Sequence, residues 1–369
     1  MPSGDGWVVR VRPPCGRLDK KQAHGVASLA LRYAMPMLDL TSRANIQLRG
    51  VTEANYPALV CGLQALDLID ADSASESHRN VMVTPYWTVG DGTLEIANAL
   101  SQALATPQTP PLPGKFGFAL DCGAIPVLRK SSADIRIERA GTGYVVYAEG
   151  STAGAYGSAQ EVVLLAMNLA NWFMQAGGAH EGRGRMANLL KVRRIPAEFM
   201  QTSLLEVPLA PHSLGLVDQG YMVGFEFGQL PAETLAALGD IGPLRLSPWR
   251  SLLLEGATEI PALGGIITRT DDARLRVVAC TGAPGCTQAA APTRPLAHAL
   301  AAYVPVGQML HVSGCVKGCA HQGPAMTLVA NTTGFDFIHY GTATSAPDMH
   351  GLHQSAIATH LQLLHAPHL

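Results

Sequence analysis

Four of the seven cysteines lie in two short glycine-rich stretches whose spacing suits a metal cofactor. CTGAPGC holds Cys280 and Cys286, and SGCVKGC holds Cys315 and Cys319. A structural zinc site prefers shorter knuckles of the C-x2–4-C type, and a thioredoxin-like redox pair needs C-x-x-C. Four thiolates in two such loops suit a [4Fe–4S] cluster, in which each iron takes one cysteine sulfur. The spacing therefore favours a cluster over zinc or four unrelated buried cysteines.

A second group of polar residues could bind an anion. Arg43, Gln47 and Arg49 alternate along one predicted strand, so their side chains would share a face. Guanidinium groups are preferred for carboxylates because their planar fork meets both oxygens. A solvated strand edge is the alternative for Arg49. The predicted anion-binding residues are Arg10, Arg12, Arg43, Gln47, Arg49, Arg79 and Lys115.

Composition limits the classes of protein that the chain can belong to. Of its 369 residues 47% are hydrophobic and 15% charged, which is typical of a globular α/β protein. A net charge of −2 gives no general attraction to nucleic acid or anionic lipid. We find no apolar run long enough to span a membrane and no secretory signal. The odd number of cysteines favours a reducing cytoplasm, so we expect a cytoplasmic protein.

The elements that must position these residues occur twice. The order strand–helix–strand–strand–helix in the first 69 residues is typical of a ferredoxin-like half. The segment Pro243–Ala257 aligns with Met37–Val51 without a gap, so that Gly256 coincides with Gly50. We therefore predict a duplicated α+β fold, with two ferredoxin-like halves and two α/β cofactor-binding domains around a pseudo-two-fold axis. A cleft between the copies would hold a large ligand.

This duplication also predicts how the copies differ. If CTGAPGC is aligned with RNVMVTP and HVSGCVKGC with GKFGFALDC, the second copy has thiols where the first has Arg79 and Lys115. The expected units are residues 1–75 and 76–195 in the first copy and 196–258 and 259–345 in the second. Residues 346–369 are expected to form a separate tail helix.

Five motifs in this order resemble the sirohaem nitrite and sulfite reductase superfamily over most of the chain. They are RVRPPCGRL, DLTSRANIQLRG, RNVMVTP, LPGKFGFAL and the pair CTGAPGC/SGCVKGCA. The resemblance implies the duplicated fold with a [4Fe–4S] cluster on the four cysteines, and Arg79 and Lys115 as catalytic residues. In the reductases the last of these cysteines, which corresponds to Cys319, also bridges to the sirohaem iron.

Within the superfamily, the length and motif details resemble the oxygen-dependent precorrin-3B synthases of aerobic cobalamin biosynthesis. That resemblance implies hydroxylation of precorrin-3A at C20 by O2, with formation of a lactone. It also implies a mononuclear non-haem iron, and electrons from NAD(P)H through a donor protein or reductase. The ligands of this iron are not readable from the sequence, although His321 is the imidazole nearest to the cluster loop, with His311 and Asp121 as further candidates. The histidines near the C-terminus are expected to form the polar face of a last helix.

One departure separates two members of the superfamily. The reductases carry a second lysine two residues after the position of Lys115, where this sequence has Gly117. The loss of that cation disfavours reduction of sulfite or nitrite and favours a larger organic substrate. A small sirohaem-dependent sulfite or nitrite reductase remains the alternative, and a tetrapyrrole carrier without enzymatic activity is a further one.

Overall fold

The computed structural model describes residues 2–69, 80–204 and 213–364, and every structural statement below concerns those residues. They form two copies of one arrangement, each consisting of a ferredoxin-like half followed by an α/β unit. The predicted duplicated α+β fold is therefore confirmed. Within the described ranges, none of the helices is both long and apolar enough to cross a bilayer.

The first half contains five strands and two helices. A capping box between Asp19 and Gln22 begins the first helix, because each side chain accepts from the backbone N–H of the other residue. The elements are β1 (Pro2–Ser3), β2 (Gly6–Val11), β3 (Arg17–Leu18), α1 (Lys20–Tyr33), β4 (Met37–Leu40), β5 (Ile46–Val51) and α2 (Tyr56–Gln64).

The first α/β unit is a mixed six-stranded sheet packed against two long helices. Its strands are ordered β11-β10-β9-β8-β7-β6, with β6, β7 and β8 parallel. Because β11 pairs with β10, the unit extends beyond the expected boundary at residue 195. The elements are β6 (Val81–Val83), α3 (Thr93–Leu104), β7 (Phe118–Asp121), β8 (Ile135–Ala140), β9 (Gly143–Ala148), β10 (Ala153–Gly157), α4 (Ala159–Gln175), α5 (Met186–Leu189) and β11 (Thr202–Ser203).

The second half repeats the first with one exception. After β16 the chain forms β17, which pairs with β13, whereas in the first half the chain after β5 forms α2. Helix α6 packs closely on α1, since a Cβ on Gly239 would lie 2.7 Å from Cβ of Ala23. The elements are β12 (Gly215–Val217), β13 (Gly220–Phe225), β14 (Gln229–Pro231), α6 (Ala232–Ile241), β15 (Leu244–Leu246), β16 (Ser251–Glu255) and β17 (Ile266–Ile267).

The second α/β unit is a five-stranded sheet in the order β18-β19-β20-β21-β22. The expectation of a separate tail at residues 346–369 is wrong for the described residues. Strand β22 pairs with β21, and α8 buries Ile357 and Leu361 in the core of this unit. The elements are β18 (Val277–Ala279), α7 (Arg294–Leu300), β19 (Leu310–Ser313), β20 (Ala325–Asn331), β21 (Gly334–Gly341), β22 (Met349–Leu352) and α8 (Gln354–Leu364).

The two halves exchange one strand each. Strand β14 of the second half completes the sheet β1-β2-β5-β4-β14, and β3 of the first half completes β12-β13-β16-β15-β3. Side chains of both halves consequently share one hydrophobic core, in which Leu38 and Leu252 are fully buried. The equivalence extends to unusual backbone: Ala44 and Arg250 have positive φ values of 52° and 60°, and Gly50 and Gly256 have 69° and 67°. The alignment that the sequence indicated between the halves is confirmed.

The predicted alignment of the two α/β units is wrong by several residues. In the sheets, β6 is equivalent to β18 and β7 to β19, so Thr84 follows its strand as Cys280 does. The cysteine loops therefore follow β18 and β19, whereas Lys115 precedes β7. The expectation that the thiols replace Lys115 fails, because this lysine lies at the opposite end of the equivalent strand.

Candidate active site

The four predicted cluster cysteines lie together at one edge of the second α/β sheet. Strands β18 and β19 are parallel, so the loops that follow them emerge at the same edge. The loops are tied together where Ala290 N–H donates to the carbonyl of Gly314 at 2.9 Å. Burial raises the pKa of the Cys319 thiol, and the other three cysteines of the set raise it further. All four cysteines are free, and they share one electrostatic site.

The loops hold the thiols with local hydrogen bonds. The backbone N–H of Gly314 donates to Sγ of Cys280 at 3.2 Å, which stabilises a thiolate there. A Cβ on Gly314 would lie 2.6 Å from Cβ of Ala289, so this approach requires glycine. Ser313 Oγ donates to the carbonyl of Cys315 at 2.7 Å and fixes the start of the second loop.

The four thiols are a donor set of the kind that a [4Fe–4S] cluster uses. In the described ranges, no group of three or more His, Cys, Asp or Glu side chains could hold one metal ion. A zinc site needs its ligands around one centre, whereas the four thiolates of a [4Fe–4S] cluster bond to four separate irons. Four neighbouring thiols with a backbone N–H donor to sulfur therefore suit the cluster.

Two histidines lie beside the cluster loop. His311 is fully buried on β19, and neither of its ring nitrogens has a hydrogen-bond partner among the described residues. Its ring centroid lies 6.0 Å from that of His321 at an interplanar angle of 72°. Burial, together with a smaller contribution from His321, lowers the pKa of His311 to about 4, so His311 is a neutral imidazole. The described residues bring no carboxylate to this pair that would complete a ligand triad, and His321 stays a prediction as an iron ligand.

The remaining candidate ligand and the C-terminal histidines lie elsewhere. Asp121 ends β7, and its Oδ2 accepts from the backbone N–H groups of Val127 and Leu128. The ring of His360, on α8, lies 4.8 Å from that of Phe337, so this histidine packs against the core of the unit. Two further histidines, His365 and His368, lie outside the described residues.

Arg43 belongs to a group of four neighbouring guanidinium groups. The sequence placed Arg43 on a strand, but it lies in the turn between β4 and β5, where Nη2 donates to Ser132 Oγ at 3.1 Å. Burial lowers the pKa of Arg43, and the positive charges of Arg185, Arg10 and Arg12 lower it further. Such a concentration of positive charge favours a polyanionic ligand.

Sequence reasoning missed Arg185, the fourth member of this group. Its Nε is 2.9 Å from Oδ1 of the fully buried Asp134, and its Nη groups lie 3.2 Å from Ser132 Oγ. Arg185 lies in the basic stretch EGRGRMANLLKVRRI, which ends at the expected domain boundary at residue 195. The only signal for a site was the excess of arginine in that stretch.

Two other predicted anion-binding residues have different surroundings from those expected. Arg49 is bound to Asp5, with Nε 2.8 Å from Oδ2, and its side chain is only 11% exposed. It is therefore not presented to a ligand, and its predicted role in substrate binding is wrong. Gln47 is half-buried on β5 and pairs in register with Arg10 of β2, which keeps it next to the cationic group.

The motif around Lys115 is only partly accessible to a ligand. Lys115 is exposed in the turn before β7, while Arg79 lies outside the described residues. Gly117 is buried, and a Cβ there would lie 2.5 Å from Nδ2 of Asn80. Asn80 donates to the carbonyl of Phe116 at 2.9 Å, so its amide fills the space that a side chain at position 117 would need.

A cavity of about 520 Å³ connects the cationic turn with the cluster loop. It is lined by Ser42, which precedes Arg43, and by Ala320, which follows Cys319. Trp249 and Arg250, the equivalents of Arg43 and Ala44 in the second copy, also line it. Burial lowers the pKa of Arg250, and the nearby Arg294 lowers it further. Arg250 is thus a cation at a ligand-sized cavity, and the sequence alignment, which pairs it with an alanine, gave no sign of this.

Comparisons with known proteins agree with this architecture. The family model described as the nitrite/sulfite reductase ferredoxin-like half domain matches residues 1–66. The solved structure of the Mycobacterium tuberculosis NirA protein has the same fold over 96% of this chain and 79% of its own, with a TM-score of 0.64 and 15% identity. Residues 1–66 thus match the half domain of the nitrite and sulfite reductases, and the chain shares the fold of NirA.

In sequence, the chain is similar to proteins of two kinds. It is 29% identical to a precorrin-3B synthase of Sinorhizobium sp. over 94% of its own length and 82% of that protein. It is also 29% identical to a ferredoxin–nitrite reductase of Synechococcus elongatus, over 32% of this chain and 25% of the reductase. A chloroplastic ferredoxin–nitrite reductase of Zea mays is 34% identical over 21% of the chain and 14% of that enzyme.

Proposed function

We propose that this chain is an iron–sulfur oxidoreductase that hydroxylates precorrin-3A at C20 with O2, with formation of a lactone, in aerobic cobalamin biosynthesis. One observation carries the proposal: Ser42 and Ala320 line the same cavity, so that a ligand bound there would lie between the cationic turn and the cluster loop. Similarity to a precorrin-3B synthase over nearly the whole chain supports it. The free state of all seven cysteines is compatible with a cytoplasmic location, which we also propose.

Cys280, Cys286, Cys315 and Cys319 would hold the [4Fe–4S] cluster. When bound, such a cluster supplies one-electron transfer, and we propose NAD(P)H, through a donor protein or reductase, as the source of the electrons. The mononuclear iron that the resemblance implies does not fit equally well. Among the described residues its candidate ligands amount to two imidazoles, those of His311 and His321.

The protein's own contribution is to bind and orient a polycarboxylate macrocycle. Arg250 lines the cavity from the second copy and Ser42, the neighbour of Arg43, lines it from the first, so the two turns can bind carboxylates on different sides of one ligand. The indole of Trp249 offers a flat apolar surface in the same cavity. Arg10, Arg12, Gln47 and Lys115 remain proposed ligands for further carboxylates, and Arg79 and Lys115 remain proposed catalytic residues.

The alternative function is a small sirohaem-dependent sulfite or nitrite reductase. Its support is the similarity to nitrite reductases over part of the chain. The position of Gly117 speaks against it, because Asn80 occupies the space of the second lysine. A carrier without enzymatic activity is the other alternative.

Two measurements separate these functions. The visible spectrum of anaerobically purified protein should show the broad brown absorption of a cluster, and intense Soret and red bands of sirohaem would contradict our proposal. Incubation with precorrin-3A, reductant and isotopically labelled O2 should give a product that carries one labelled oxygen atom. Recovery of unchanged precorrin-3A from the loaded protein would favour the carrier.

A further inference from the structure

The carbonyl oxygen of Gly285, directly before the cluster ligand Cys286, accepts hydrogen bonds from three groups of the first half. Ser3 Oγ donates at 2.6 Å, Arg49 Nη2 at 2.9 Å and the backbone N–H of Gly4 at 3.3 Å. The three donors come from the N-terminal hairpin and from β5. The loop that carries Cys286 is therefore fixed by residues from the other copy of the duplicated unit.

A buried ion pair holds Arg49 in this position. Its Nε lies 2.8 Å from Oδ2 of Asp5, and its Nη2 lies 3.0 Å from Oδ1, which is the bidentate geometry of a strong pair. Nη2 also donates to Ser3 Oγ at 2.8 Å, so Ser3, Arg49 and the Gly285 carbonyl form a closed network. The Arg49 and Asp5 side chains are only 11% and 9% exposed, so solvent screens this pair weakly.

Two glycines permit the close approach of the hairpin to the loop. A Cβ on Gly4 would lie 2.2 Å from the carbonyl oxygen of Pro284, and a Cβ on Gly285 would lie 3.0 Å from Oδ2 of Asp5. On the other side, Cys286 N–H donates to the carbonyl of Gly282 at 2.8 Å and closes the loop. Cys286 is thus held between its own loop and the hairpin.

We propose that Ser3, Asp5 and Arg49 form an N-terminal clamp that positions Cys286 for the cluster, so that the first half controls how firmly the cluster is held. This inference rests on the cluster of the proposed function and gives the three residues a role in positioning a ligand. Groups behind a metal ligand orient it, and their removal typically weakens metal binding by about 10- to 100-fold. Loss of Arg49 would also leave the negative charge of Asp5 unpaired near the cluster, which would lower the reduction potential of the cluster.

The first test measures cluster retention in the holoprotein. Arg49→Met, purified anaerobically and challenged with an iron chelator, should lose its visible absorption about tenfold faster than the wild type. Its midpoint potential should fall. Arg49→Lys keeps the positive charge but lacks the planar guanidinium that binds both oxygens of Asp5. Its midpoint potential should therefore equal that of the wild type, whereas its cluster retention should lie between those of the wild type and Arg49→Met. Ser3→Ala removes one donor and leaves the ion pair intact, so it should show a smaller acceleration.

The chain offers a matched control in its second copy. Glu255 stands at the position equivalent to Arg49, and Arg17 pairs with it at 2.7 Å without contacting the cysteine loops. Arg17→Met removes one of the two arginines that pair with Glu255, the other being Arg245 at 2.8 Å, and it should leave both cluster loss and potential unchanged. Equal acceleration in Arg17→Met and Arg49→Met would overturn the clamp, because general destabilisation would then explain both.

A second measurement does not depend on the cluster. In apoprotein, Arg49→Met should accelerate alkylation of Cys286 by iodoacetamide, with the exposed Cys61 on α2 as an internal reference. Unchanged alkylation together with unchanged cluster retention would overturn the proposal. If the wild type holds no iron but Arg49→Met still exposes Cys286, the proposed cofactor fails, whereas the clamp on the thiol loop stands.

Discussion

Asp39 and Arg245 occupy equivalent positions in the two halves, carry opposite charges, and each contacts the α/β unit of the other copy. Asp39 on β4 forms an ion pair of 2.9 Å with Arg294 at the start of α7. Arg245 on β15 donates to the carbonyls of Pro85 and Trp87, in the loop after β6, at 2.9 and 2.7 Å. The pseudo-two-fold axis therefore relates an acidic residue in one half to a basic residue in the other. Each of the two links its own half to the α/β unit of the other copy.

Removal of the Arg294 side chain should loosen this junction. In Arg294→Gln, Asp39 keeps only the more distant Arg49, 3.8 Å away, as an ion-pair partner. We expect the free energy of unfolding to fall by about 1–3 kcal/mol, because a largely buried carboxylate loses its nearest cation. Urea unfolding measures this change. The matched control is Arg269→Gln, which breaks an exposed pair with Asp271 and should have no measurable effect.

Cys319→Ser should abolish the cluster and turnover. Serine replaces a soft thiolate with a hydroxyl that binds iron poorly, and one of the four proposed ligands is lost. Iron content and visible absorption of anaerobically purified protein measure the result. Cys61→Ser alters an exposed thiol on α2 and should keep full iron content. Full turnover in Cys319→Ser would contradict both enzymatic functions.

Arg43→Gln and Arg250→Gln should each weaken the binding of a polycarboxylate tetrapyrrole. Arg250→Gln removes a charged donor that lines the cavity, and Arg43→Gln removes one from the turn beside it, so we expect each change to raise the Kd by about tenfold. Quenching of tryptophan fluorescence by uroporphyrin, an air-stable analogue, measures binding. Arg193→Gln changes an exposed residue in the same basic stretch as Arg185, and its Kd should equal that of the wild type. Equal weakening in all three variants would indicate only nonspecific attraction.

Gly117→Lys should destabilise the protein without creating a reductase site. The new Cβ would lie 2.5 Å from Nδ2 of Asn80, so the buried amide must move and lose its bond to Phe116. We expect a loss of about 1–3 kcal/mol in the free energy of unfolding. Gly114→Lys is the control, because no atom lies within 4 Å of a Cβ there. A stable Gly117→Lys protein that reduces sulfite would contradict our interpretation of this position.

Asp121 should make stability depend on pH. Burial raises the pKa of Asp121 to about 6, so the folded protein binds this proton more tightly than the unfolded chain does. The wild type should therefore lose stability as the pH rises between about 4 and 6, by a few kcal/mol in total, with little further change above about pH 7. Asp121→Asn can keep the hydrogen bonds from Val127 and Leu128 without this charge.

The measurement for Asp121 is urea unfolding of both proteins at several pH values. The stability of Asp121→Asn relative to the wild type should grow as the pH rises through this range. A constant difference would show that the Asp121 carboxyl group does not titrate with a raised pKa.

Sequence reasoning found the periodic and local features of the fold. Helices α3 and α4 follow from such features, and α4 begins at a capping box of Ser158 and Glu161. Both helices carry apolar residues at helical spacing. The alignment of the α/β units failed because glycine and cysteine motifs were matched by composition. The true register between the two α/β units is fixed by which strands pair with one another, and no sequence motif marks that pairing.

The sequence by itself determined the duplicated fold and grouped the four cysteines into two loops, because both features are carried by residues that are near one another in the chain or repeat at fixed intervals. Only the tertiary structure decided what the cations do. Arg49 is 236 residues from Gly285, and Arg185 is 51 residues from Asp134, so neither partner could be inferred from spacing. The function of a charged side chain depends on which groups the fold brings within a few ångströms of it, and burial determines how strongly they interact.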